Sequence, residues 1–103
     1  MEETKPMKRL EHSLTFGNLW LYICSLIRKR KKAYAYALDD DIEKSFSFKP
    51  NRIMIYVVLY KLEAEGIIAS KFEDRRKYYT LTSKGEKTLA TGKGYLKKLS
   101  GRL

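Results

Sequence analysis

The chain has little of what most catalytic or metal-binding sites need. Its 103 residues include one cysteine and one histidine. A single cysteine forms no internal disulfide, which fits a reducing, cytoplasmic compartment. One histidine and one cysteine do not make a Cys/His zinc site. No Ser/His/Asp or Cys/His set is at hand for nucleophilic catalysis, so we expect no enzyme and no cofactor. Long apolar runs are also missing. The longest, Leu19–Ile27, is interrupted by Ser25 and is far too short to cross a bilayer. Met1-Glu2-Glu3 is acidic and no small-residue cleavage site follows, so no secretory signal is expected.

What is abundant is positive charge. Twenty-two Lys and Arg face 12 Asp and Glu, a formal net charge of +10. Hydrophobic residues make up 44% of the chain, enough for one folded domain with a core. The surplus points to a polyanionic partner, either nucleic acid or an anionic membrane surface.

Residues 1–13 are polar, include Pro6, and read as a loose arm with a short helical turn around Met7–His12. A first helix is expected from near Thr15–Asn18, with Leu19, Tyr22, Ile23, Leu26 and Ile27 as its apolar stripe. It runs out in the basic stretch Arg28–Lys32, which suits a helix C-terminus. A second helix is expected over Tyr36–Ser45, with Leu38 and Ile42 inward and Asp39, Asp40 and Asp41 as solvated charge in its first turns. Those acids do not read as a metal site, because neighbours on a helix diverge. A third helix starts at the cap Asn51 and runs to about Glu65, with Gly66 as its stop. Ile55, Val58, Leu59 and Leu62 share its inner face, with Tyr56 at the edge as a packed tyrosine. The outer face carries Ile53, Val57, Tyr60, Lys61 and Ala64.

Ile67–Phe72 and Lys77–Leu81 read as a hairpin with the tip Glu73-Asp74-Arg75-Arg76. A last helix follows Thr82 or Ser83, and Ser83 with Glu86 has the spacing of a capping box. Leu89, Leu96 and Leu103 recur at seven-residue steps with Leu99 between them, a short heptad seam for a second copy. Gly92 and Gly94 weaken that helix, by about 1 kcal/mol each against alanine. Cys24 reads as a buried, inert thiol, with a disulfide between two copies as the alternative, and His12 as a surface residue.

The order helix, helix, helix, hairpin, helix predicts a mainly α winged helix-turn-helix. It has a three-helix core, a small β-hairpin wing and a C-terminal dimerisation helix. The expected division is an arm at 1–13, a DNA-binding winged helix at 14–82 and a dimerisation element at 83–103. In such a fold the third helix enters the major groove and the wing reaches nearby backbone. Candidate DNA contacts are Lys49, Asn51, Arg52, Ile53, Met54, Val57, Tyr60 and Lys61 around the third helix. Arg75, Arg76 and Lys77 at the wing join them, with Arg30, Lys31 and Lys32 as a phosphate track.

Three stretches are similar to a known family. Tyr56-Val57-Val58-Leu59-Tyr60-Lys61-Leu62-Glu63-Ala64-Glu65-Gly66-Ile67-Ile68 resembles the tyrosine-led third helix of PadR-family regulators, which ends in Leu-Glu-x-x-Gly and two apolar residues. Arg76-Lys77-Tyr78-Tyr79-Thr80-Leu81-Thr82-Ser83-Lys84-Gly85 resembles that family's wing and exit, and Ala35-Tyr36-Ala37-Leu38 stands where it often has Gly-Tyr-x-Leu. The resemblance implies a homodimeric transcriptional regulator that binds double-stranded DNA and dimerises largely through the C-terminal helix. It names no small-molecule effector. A low-specificity, chromatin-type DNA binder and a winged-helix protein-interaction module remain the alternatives.

Overall fold

The computed structural model describes residues 3–103; residues 1–2 of the expected arm lie outside them. Five α-helices and three strands follow in the order α1 (Lys5–Leu14), α2 (Leu19–Arg30), β1 (Ala33–Tyr34), α3 (Leu38–Phe46), α4 (Arg52–Ala64), β2 (Ile68–Glu73), β3 (Arg76–Leu81) and α5 (Ser83–Arg102). Short 3-10 turns precede α2 and α3; α2 begins at Leu19, the first residue of its apolar stripe, and α3 at Leu38, two residues after the expected Tyr36.

The core sits where α2, α3 and α4 meet the sheet. Ile23, Leu26 and Ile27 of α2 are enclosed by Leu38 and Ile42 of α3 and by Ile55 and Leu59 of α4. Each such side chain contributes roughly 1.5–3 kcal/mol by leaving water. Cys24 is fully buried with them, and burial pushes its thiol up to about 11. It is an inert core residue that no second chain reaches, which removes the intermolecular disulfide. An edge-to-face aromatic set pins the α3–α4 link onto α2. Tyr22 lies 4.9 Å from Phe46 and 4.8 Å from Phe48, and Phe16 lies 5.3 Å from Phe48.

The sheet has the strand order β1-β3-β2 and is antiparallel throughout. β1 is an element that hydrophobic periodicity did not reveal. Its two residues exist as strand only because Ala33 and Tyr34 pair with Tyr79 and Tyr78. Glu73 pairs with Arg76, leaving Asp74 and Arg75 as a two-residue turn with φ of 49° and 67°. Positive φ at both positions is the turn geometry that matches strand twist.

Two junctions hold α5 in place. Thr82, not Ser83, is its cap, and the Thr82 hydroxyl accepts from the Gly85 N–H at 3.0 Å. The expected Ser83–Glu86 box is therefore one residue out of register. The same hydroxyl donates to the Gly66 carbonyl at 2.6 Å, lashing α5 to the end of α4. A side chain at Gly85 would run into the Ile67 carbonyl, so the helix start needs glycine there.

Further along α5, Leu89 is only 4% exposed and belongs to the domain's own core. It is therefore not a seam residue, because the neighbours that bury it are in its own chain. Leu96, Leu99 and Leu103 stay exposed. Gly92 has a function that propensity alone misses. A Cβ there would meet the Trp20 indole at 2.8 Å, so the glycine admits the tryptophan against α5.

The amino-terminal segment is a ten-residue helix rather than a loose arm. Thr4 caps it, and Pro6 sits in its first turn, where proline is tolerated. Its far end is tied down by side chains. The Asn18 amide donates to the Ser13 carbonyl and the Tyr22 hydroxyl to the Leu14 carbonyl, both at 2.5 Å. Yet no residue of α1 is buried.

Candidate nucleic-acid interface

α3 and α4 form the helix-turn-helix. The start of α4 is well determined: Asn51 is extended at φ −68°, ψ 138°, and its side chain accepts from the Ile53 N–H at 2.7 Å. Ile55, Leu59 and Leu62 face the core, which turns the opposite side of the helix outward. Ile53 is 73% exposed and Tyr60 76%, with Met54 and Val57 also open to solvent. Tyr56 is on this outer surface too, half exposed, and is not a packed core residue. Its place one turn after Arg52 keeps it outside the Ile55–Leu59–Leu62 stripe. Reading Tyr56 as core hid it as a candidate contact.

The wing projects Arg75, Arg76 and Lys77 from a tight turn. Among the described residues, neither Arg75 nor Arg76 has a carboxylate within 4 Å. Lys77 stands 4.0 Å from Glu63 and its ammonium lies over the Tyr79 ring. Lys32 approaches the wing from the other side. It donates to Glu73 at 2.9 Å and sits over the rings of Tyr34 and Tyr78. The Glu73 hydrogen bond raises the Lys32 ammonium above its ordinary value, and the same bond lowers the Glu73 carboxyl.

The acids at the start of α3 are not free solvated charge. Asp41 binds Arg30 at 2.6 Å, Asp40 binds Lys49 at 3.0 Å, and Asp39 binds Arg52 at 2.9 Å. Three candidate contact residues, from the end of α2, the interhelical link and the head of α4, thus converge on one acidic row. Asp39 is almost completely buried. Burial pushes its carboxyl up, and the Arg52 hydrogen bond, the Asp40 N–H and nearby cations outweigh that and hold it below the usual value. The Asp40 hydrogen bond and charge likewise raise Lys49. Each aspartate is aimed at a cation, and among the described residues no group of three His, Cys, Asp or Glu could hold a metal ion. Lys31 and Lys61 enter no ion pair among the described residues. Lys31 also ends α2, in the left-handed conformation at φ 70°.

The outer side of α4, the acid-paired cations around α3 and the unpaired arginines of the wing are thus all open to solvent. Behind α4, a groove of about 500 Å³ runs between α2, α4 and α5, lined by Phe16, Trp20, Met54, Val58 and Leu62. No helix among the described residues is long and apolar enough to cross a membrane.

The model of the transcriptional regulator PadR-like family matches residues 23–91, from the middle of α2 to the middle of α5. The chain belongs to the PadR-like family. Solved structures agree with that placement. A PadR-like transcriptional regulator from Bacillus cereus superposes with a TM-score of 0.73 at 26% identity, over 89% of this chain and 91% of that one. A PadR family transcription regulator from Clostridium difficile gives 0.71 at 24% identity, over 82% and 96%. A winged-helix DNA-binding protein from STIV gives 0.72 at 21% identity, over 80% and 89%. No curated protein matches the chain. The winged-helix expectation is met. As a PadR-like protein, the chain is a transcriptional regulator of the DNA-binding, helix-turn-helix kind.

Proposed function

We propose that this PadR-like protein binds double-stranded DNA as a homodimer, with the outer face of α4 in the major groove and the wing on phosphates. The observation that carries the reading is the open face of α4, led by Ile53, Val57 and Tyr60, in a chain whose wing and α3–α4 link carry cations. Ile53, Met54 and Val57 suit thymine methyl groups, and Tyr60 and Lys61 suit phosphate or a base edge. The wing turn supports it as well. Arg75 holds a left-handed backbone conformation that glycine adopts without strain. An arginine kept at such a position makes sense if its charge is used.

The homodimer rests on α1 and the end of α5. A ten-residue helix with no buried residue is marginal alone in water. Met7, Leu10 and Leu14 line one side of α1, all exposed. Leu14 also lines a shallow cavity with Trp20, Leu21, Tyr95 and Leu96, which brings the end of α1 close to the exposed leucines of α5. A second copy covering Leu96, Leu99 and Leu103 would also cover the apolar side of α1. Changing Leu96→Asp with Leu99→Asp should convert dimer to monomer by light scattering without unfolding the domain. A dimer that persists moves the interface elsewhere.

Duplex binding is tested by fluorescence anisotropy over a range of salt, comparing DNA from upstream of the coding sequence with a scrambled duplex. Preference for the upstream duplex with a steep salt slope supports the regulator. Equal, salt-sensitive binding to both favours the low-specificity reading, which the apolar outer face of α4 keeps in view. No binding to either duplex overturns the proposal.

A further inference from the structure

Arg52 differs from the other cations of this surface in how it is held. It is the first residue of α4, directly after the Asn51 cap, and the N-terminal residues of a recognition helix are those that reach base edges. Its Nε donates to Asp39 Oδ2 at 2.9 Å. The other oxygen of Asp39 accepts from the Asp40 N–H at 2.9 Å, so both are engaged and the carboxylate has one orientation. Asp39 is also packed away from water, at 5% exposure, while the Arg52 side chain is 63% exposed. A guanidinium has five N–H donors in a rigid plane. The bond to Asp39 uses the one at Nε, and among the described residues no partner takes the four at the terminal nitrogens. The plane is therefore fixed from behind, with its fork open to solvent at the head of α4.

The neighbouring pairs lack this combination. Lys49 on Asp40 has no fork, and its ammonium rotates freely. Arg30 on Asp41 is bound through a terminal nitrogen, which occupies the edge a ligand would use. Arg28 is also held at Nε, by Glu86 at 3.4 Å, but that carboxylate is half exposed. Among the described residues, only at Arg52 does a buried carboxylate hold Nε and leave the terminal edge free.

We propose that Arg52 reads a guanine, through its O6 and N7, and that Asp39 is the positioning residue that aims it. This rests on the reading of α4 as the groove helix. Asp39 makes no contact with DNA. It removes the rotational freedom that an exposed arginine loses on binding, and it favours one direction of approach.

The test uses the full chain and a randomised duplex library, from which bound sequences are selected and read. The wild type should select sites with a fixed guanine. Replacing that guanine by 7-deazaguanine, which keeps O6 but lacks the N7 acceptor, removes one of the two bonds of the bidentate contact and should weaken binding about 2- to 12-fold. Arg52→Ala should bind both duplexes equally. Asp39→Asn should lose most of the discrimination while its binding to unselected duplex stays within about twofold, an outcome that a purely structural tie between α3 and α4 does not give. Should Asp39→Asn fail to fold, Arg52→Gln removes the guanidinium fork, and it should lose the guanine preference while the salt slope changes by no more than about one unit. Discrimination that survives Arg52→Gln overturns the proposal. So does a wild type that binds duplex in a salt-dependent way but tolerates 7-deazaguanine at every position; in that case the DNA-binding reading stands. Absence of any duplex binding defeats that reading first and the inference with it.

Discussion

The wing tip and the head of the helix-turn-helix both carry arginine, and they hold it in opposite ways. Arg75 and Arg76 stand in and beside a two-residue turn, and among the described residues neither has a carboxylate within 4 Å. Arg30, Lys49 and Arg52 each rest on an aspartate at the start of α3. A bare cation on a projecting turn gains by displacing counterions from phosphate, whatever the sequence. A cation already paired to a carboxylate gains less from phosphate, because the pair must be loosened or shared. In return, its geometry is set before the partner arrives. On our reading, the same residue type therefore serves affinity at the wing and orientation at the helix.

The comparison breaks most readily at the wing. Arg75→Ala with Arg76→Ala should weaken binding to every duplex and lower the slope of log K against log salt by about two units. An unchanged slope would remove the wing from the interface. A subtler change at the same place is Arg75→Gly, which relieves the positive φ. Stability should rise by about 1 kcal/mol, roughly 4–8 °C in melting temperature, while duplex affinity falls. Stability and binding moving in the same direction would contradict a turn that tolerates strain for the sake of a cation.

The paired side is tested through pH. Asp39 has a lowered carboxyl in the folded chain. Its contribution to stability is therefore present above the ordinary aspartate value, near 3.9, and is lost as pH falls through the lower folded value. Asp39→Asn should be less stable than the wild type at pH 7, and thermal melting should show the gap narrowing below about pH 4. A gap that stays constant down to pH 2.5 would mean the carboxylate charge contributes nothing. The smallest effect belongs to Asp40, whose pair with Lys49 is about half exposed. Asp40→Asn should shift the melting temperature by less than about 4 °C. It should also strengthen duplex binding slightly, since it removes a carboxylate that competes for Lys49.

Local chemistry made much of this fold legible. The Asn51 cap, the Gly66 stop and the Ile55–Leu59–Leu62 spacing place α4 without any knowledge of its neighbours. Enrichment in β-branched and aromatic residues places the wing strands in the same way. The misreadings share one cause, which is that their partners are distant in sequence. β1 is two residues long and has no period to detect; only Tyr78 and Tyr79 make it a strand. Leu89 fits a heptad equally well whether its partner is a second chain or its own core, and the structure buries it at home. The acidic row reads as solvated charge until α2 and α4 bring Arg30 and Arg52 to it. The contact between Tyr34 and Tyr78 is hidden for the same reason. Tyr34 and Tyr78 come side by side only through strand pairing, with ring centroids 6.1 Å apart.

The measurement that tests the account most directly is a salt titration of binding to a selected duplex and to its scramble. It would be run on the wild type, Arg75→Ala with Arg76→Ala, and Arg52→Ala. We expect the wing variant to flatten the salt slope and keep the ratio between the two duplexes. Arg52→Ala should collapse that ratio and change the slope by no more than about one unit. If Arg52→Ala lowers the slope as much as the wing variant and keeps the ratio, or if neither variant alters either quantity, the division of labour between wing and helix is wrong.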